Sequence, residues 1–169
     1  MRKPYEIFCD MDGCLSDFER GAYGVFGHHF GDPYYDSPEK KEERNRKLLQ
    51  HPHFWENLPP MRDYDQLWNY IKNFKPNILT AYAKWDEAGS RHGKIVWNHT
   101  HMKVSSDKFH VVARENKQKY ATYAHGNANV LIDDFPKNVK EWEARGGIGI
   151  LHTGAASTIQ KLKTLGFST

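Results

Sequence analysis

The sequence predicts an α/β fold: a parallel sheet flanked by helices, with a small helical cap inserted after the first strand. Three observations predict it. Short apolar runs alternate with stretches of helical periodicity. The runs are nearly continuous in apolar residues, as in strands buried on both faces. One connection, residues 15–75, is too long for a single crossover and too patterned for a loop.

The elements follow in chain order. Residues 5–10 read as a buried strand stopping at Asp10. Leu15, Phe18, Ala22, Val25 and Phe26 have helical spacing, with Gly21, Gly24 and Gly27 weakening that helix. "GDPYYDSP" is turn-rich. "SPEKKEERNRKLLQH" opens with a Ser cap and a Pro at the first helical position, and its opposite charges suit a solvated surface helix. Tyr64, Leu67, Trp68 and Ile71 mark another helix, ended by Pro76. Strands are predicted at "NILTA" (77–81), "FHVVA" (109–113), "NVLI" (129–132) and "IGILH". Helices are predicted over 85–100, at "ENKQKYATYA", at "KNVKEWEAR" up to Gly146-Gly147, and over 155–165. The expected division is a core of residues 1–14 and 76–169, and a cap of residues 15–75.

Composition narrows the function. The net charge of +3 is too small for a densely basic nucleic-acid coat protein. No run of about 18 apolar residues occurs, so no membrane span is expected. The start, Met1-Arg2-Lys3-Pro4, has no signal-peptide core, and the expected compartment is the cytoplasm. Cys9 and Cys14 are too few for a disulfide scaffold and read as small apolar fillers.

Three predicted strands end in polar groups able to do chemistry: Asp10, Thr80 and Asp133. In a doubly wound sheet ligands bind outside the carboxyl ends of the strands, so these residues converge on one crest. Crowded carboxylates repel, and a hard divalent cation resolves the conflict. An all-oxygen site with few protein ligands suits Mg²⁺ bound together with phosphate. One carboxylate can attack phosphorus while a neighbour shuttles the proton.

These residues resemble a known family. "DMDGCLSD" is similar to the first motif of haloacid dehalogenase superfamily phosphatases, Asp-x-Asp-Gly-x-x-x-Asp after a strand. "ILTA" resembles their second motif and "LIDDFPKNV" their fourth, in the same order over essentially the whole chain. "DMDGCLSDFE", "FWENLPPM" and the later "LIDD-x-P" resemble the 5'(3')-deoxyribonucleotidase branch. The resemblance implies a Rossmann-like core and a Mg²⁺-dependent phosphomonoesterase acting on (deoxy)nucleoside monophosphates through an aspartyl phosphate. By the same resemblance Asp10 is the nucleophile and a metal ligand. Asp12 is the acid–base residue, with its backbone carbonyl on the metal. Asp133 is the acidic metal ligand, with Asp134 supporting it or ligating through water. Thr80 and the amide of Ala81 hold the phosphoryl group. Lys117 or Lys119 supplies the motif lysine, and Lys117 is favoured by its Lys-x-x-aromatic-Ala setting. Phe18, Trp55 and Tyr82 are expected to stack on the base. The expected partner is a small phosphate monoester, and a homodimer is possible.

Competing readings fit less well. A calcium loop fails because its fifth, sixth and twelfth positions are Cys14, Leu15 and Gly21. A signalling receiver domain has its acidic pair and lone Asp in the reverse order. The pairs His51/His53 and His99/His101 lack a Cys or acidic partner at zinc-like spacing. Three alternatives remain open: a sugar phosphatase, a nucleic-acid 3'-phosphatase and a non-catalytic phosphate- or nucleotide-binding module.

Overall fold

A computed structural model describes residues 5–169. Five strands form one parallel sheet: β1 (Ile7–Cys9), β2 (Asn77–Ala81), β3 (Phe109–Val112), β4 (Val130–Asp133) and β5 (Ile148–Leu151), in the order β3-β2-β1-β4-β5. The helices are α1 (Phe18–Phe26), α2 (Pro38–Leu49), α3 (Tyr64–Ile71), α4 (Glu87–His101), α5 (Pro136–Ala144) and α6 (Ala155–Thr164). The α/β architecture expected from the alternating pattern is therefore present.

The chain divides into two compact units. The first comprises residues 1–16, 60–81 and 104–169, and contains the sheet with α3, α5 and α6. The second comprises residues 17–59 and 82–103, and contains α1, α2 and α4. These limits differ from the 15–75 insertion expected from sequence. Helix α3 packs against α6 and so joins the sheet unit. Helix α4 joins the other unit, where Trp97 donates from Nε1 to the Leu58 carbonyl at 2.8 Å. Both differences arise from long-range packing, which periodicity does not report.

In the sheet unit, Phe8, Leu79 and Leu131 share one face with Trp142 of α5 and Ala121. The alternate residues Ile7, Ile78, Val130 and Ile132 are also fully buried, so the strands are covered on both faces. Gly147 lies where a Cβ would meet the Trp142 indole at 2.2 Å, which explains a glycine at the turn into β5. The second unit is built on aromatics. Phe18 meets Phe30, Phe54 and Trp55 at centroid distances of 4.9, 5.8 and 5.5 Å.

Local boundaries follow from caps. Asp17 accepts from the Arg20 amide and caps α1, and Gly27, at φ 76°, ends it four residues short of the expected span. Ser37 caps α2 as its sequence predicts. The "ENKQKY" stretch forms a 3-10 segment, Arg114–Tyr120, rather than an α-helix. Among the described residues no helix is long and apolar enough to cross a membrane.

Candidate active site

Strand β1 lies between β2 and β4, where the sheet's connections diverge, and its carboxyl end is the topological switch point. The pairs Phe8↔Leu131 and Cys9↔Ile132 bring Asp10 beside Asp133 in register. Two neighbouring carboxylates there need a cation. Lys117 supplies one: its Nζ donates to Asp10 Oδ1 and Asp133 Oδ2, both at 2.9 Å. The lysine is 3% exposed, whereas Lys119 is exposed on the surface, so the structure sets Lys117 and not Lys119 at the strand ends. Burial alone would lower the Lys117 ammonium. Asp10 and Asp133, by charge and hydrogen bond, outweigh burial and hold it above the usual lysine range. Asp10 is held well above the usual carboxylate range, first by burial and then by Asp133, against the opposing pull of Lys117.

The turn after β1 is tight. The amides of Cys14, Leu15 and Ser16 all donate to the Met11 carbonyl. Gly13 adopts φ +86°, and a Cβ there would fall 2.0 Å from Asp134 Oδ2. The missing side chain leaves room for the Asp134 carboxylate to come over the turn toward Asp10. Asp10, Cys14 and Asp134 each place a donor atom within 4.8 Å of the others. Asp134 is exposed as a residue, but its carboxylate sits against Gly13 and Asp10. Loss of water there, followed by the Asp133 charge, pushes its pKa up to about 6.

Asp133 occupies a different position from the one its place in the motif suggests. It is fully buried, its Oδ1 accepts from the Phe135 amide at 2.9 Å, and its Oδ2 accepts from Lys117 and from Asn138 Nδ2 at 3.1 Å. Those three donors occupy most of the roughly four acceptor sites of the Asp133 carboxylate. The cause is the strand period. Asp133 points to the same face as Leu131, under α5, and Asp134 lies beyond the strand.

A cleft of about 450 Å³ opens over this floor, lined by Asp10, Asp12, Lys117, Asp134, Ala81 and Arg114, with Phe135, Pro136 and Asn138 at its side. Asp12 is steadied by Ser16, whose Oγ donates to Asp12 Oδ1 at 2.9 Å. Thr80 stands at the end of β2 but is fully buried, and Ala81 reaches the cleft in its place. Neither Arg114 nor Asn138 was singled out by sequence. Arg114 is three residues before Lys117 and Asn138 lies one helical turn after Asp134, and these spacings are the only local signals for them.

No protein-family model matches the chain, and no curated protein matches it. Solved structures do. A hydrolase from Streptococcus pneumoniae aligns at TM-score 0.53 and 12% identity, covering 94% of this chain and 98% of its own. L-2-haloacid dehalogenase from Xanthobacter autotrophicus aligns at TM-score 0.51 and 12% identity, covering 94% and 82%. The chain has the fold of L-2-haloacid dehalogenase. Mycobacterium tuberculosis protein tyrosine kinase A also aligns, at TM-score 0.50 and 16% identity, covering 89% and 84%. At such identities the likeness to the haloacid dehalogenase fold establishes architecture, and function must be argued from the site.

The remaining sequence candidates lie in the second unit. Trp55 is 6% exposed, stacks on Phe18, meets the tilted Trp85 ring at 5.6 Å between centroids, and donates from Nε1 to Asp86 Oδ2 at 2.9 Å. Its ring is packed within the core of that unit. Phe18 is half-buried in the same cluster. Tyr82 carries the Arg91 guanidinium 4.4 Å above its ring. Among the described residues, the histidine pairs belong to no group of three metal-capable side chains.

Proposed function

We propose that the protein is a Mg²⁺-dependent phosphomonoesterase of haloacid dehalogenase type, acting on (deoxy)nucleoside monophosphates. The observation that carries this reading is the Asp10 carboxylate, held 2.9 Å from a buried lysine at the floor of a cleft that Asp12 also lines. A binding module needs no second acid beside the first, whereas displacement at phosphorus uses both.

Asp10 and Asp134 offer hard oxygen donors close together, which fits Mg²⁺. The Cys14 thiol, held protonated first by burial and then by Cys9, remains a neutral filler beside them. When bound, the cation offsets charge on the phosphoryl oxygens.

Asp10 attacks phosphorus in line, forming an Asp10–phosphorus bond as the ester bond breaks. Asp12, protonated, gives its proton to the departing nucleoside oxygen. Asp12, now a carboxylate, takes a proton from water. That water attacks the aspartyl phosphate, releasing phosphate and restoring the Asp10 carboxylate. Lys117 offsets charge next to Asp10 throughout. The Ala81 amide, at the end of β2, is assigned to the phosphoryl group, with the buried Thr80 behind it.

Activity on a panel of nucleoside monophosphates, sugar phosphates and 3'-phosphorylated oligonucleotides, each with Mg²⁺, tests the substrate class. Preference for nucleoside monophosphates is expected. Strong preference for oligonucleotides or sugar phosphates would replace the nucleotide reading and leave the chemistry standing. No phosphate release from any substrate would remove the enzyme reading.

A further inference from the structure

Arg114 and Lys117 begin and centre the 3-10 segment Arg114–Tyr120, where side chains three residues apart eclipse and share a face. Both line the cleft. An arginine beside a phosphate-sized cleft invites assignment to the ligand, but this guanidinium is already engaged. Its Nη1 donates to Glu141 Oε2 and to Asn138 Oδ1, each at 2.9 Å, and its Nη2 lies 3.4 Å from Glu141 Oε1.

The consequence lies one residue further on. Arginine offers donors only, so Arg114 holds the oxygen end of the Asn138 amide toward itself. The nitrogen end then faces Asp133 and donates to Oδ2 at 3.1 Å. That same oxygen accepts from Lys117, which also donates to Asp10 Oδ1. Asn138 is 5% exposed, Lys117 3% and Asp133 0%, so water does not compete inside the chain of bonds. The Asn138 donor partly satisfies Asp133 Oδ2 and keeps Lys117 from being drawn wholly onto Asp133.

We infer that Glu141, Arg114 and Asn138 form a positioning relay that orients Asp133 and thereby holds the Lys117 ammonium on Asp10. The inference rests on the reading of Asp10 as nucleophile, and it adds α5 to the machinery: Glu141 and Asn138 lie on α5, three residues apart on one face.

The test compares Arg114→Ala, Arg114→Lys and Asn138→Asp with the natural chain. Arg114→Ala should lower kcat about tenfold or more, as loss of such outer partners does, with KM changed less than about twofold. Because Arg114 borders the cleft, its removal leaves a solvent-accessible vacancy. Guanidinium chloride at millimolar concentration should restore part of kcat, and sodium chloride at equal ionic strength should not. Arg114→Lys should fall between the two, and Asn138→Asp should be as slow as Arg114→Ala because it sets a carboxylate against Asp133. A crystal structure of Arg114→Ala without substrate should show the Lys117–Asp10 contact lengthened from 2.9 Å. Unchanged kcat, or loss of kcat without guanidinium rescue and with the contact intact, overturns the relay. If the natural chain releases no phosphate from any ester but the variant's contact is lost, the relay stands and the phosphatase reading falls.

Discussion

Lys117 stands between two carboxylates that are almost wholly removed from water, and this sets the sign of its loss. Lys117→Met leaves Asp10 and Asp133 facing each other uncompensated, which costs about 3–5 kcal/mol for a broken buried pair. Chemical denaturation measures it. Asp10 is already held above the usual carboxylate range and loses the opposing pull of Lys117, so the variant should recover stability as pH falls. Gly13→Ala should act differently. Its Cβ would overlap Asp134 Oδ2 at a φ of +86°, so about 1 kcal/mol or more of strain is expected. Thermal unfolding should show little or no Mg²⁺ response in that variant. Much of this was legible in "IFCDMDG", because a strand ending in spaced acids limits what those acids can do. The burial of Asp133 beneath α5 was not read from the motif, yet the strand period carries it. Leu131 is buried under α5, so Asp133 must be as well.

Elements were legible where their ends are local. Ser37-Pro38 announces α2, and Asp17 with Gly27 bounds α1. Ends defined by distant residues were not. Helix α6 has Gly154 at its N-cap position and no side-chain cap of its own; Asp63, from far away in sequence, accepts from the Ala155 amide at 2.7 Å. Asp63→Ala should therefore cost about 1 kcal/mol, as for a lost local cap, visible as a lower thermal midpoint with activity retained below the transition. The 3-10 geometry of Arg114–Tyr120 was equally hidden, since its residues have no marked propensity for it. That geometry is what places Arg114 above Lys117.

At the scale of the whole molecule, stability, cation binding and pH are linked through the cleft floor. The Asp134 pKa is pushed up from 3.8 to about 6, so its ionisation costs the folded state as pH rises through that value. A cation that binds the ionised form reverses this cost. Mg²⁺ should raise the thermal midpoint above about pH 6 and have a fading effect below it, as a matrix of thermal unfolding curves against pH and Mg²⁺ would show. The parallel sheet and its polar strand ends were legible because they follow from alternation and from where apolar runs stop. A core with an insertion was expected as well, but the allotment of α3 and α4 was not legible, because it rests on contacts far apart in the chain.

The central claim is that Asp10 attacks phosphorus, and release of phosphate from an aryl phosphate ester tests it most directly. The natural chain should release phosphate with Mg²⁺ and not after chelation. Asp10→Asn, folded by circular dichroism, should release none. Normal Mg²⁺-dependent turnover by Asp10→Asn would contradict the account.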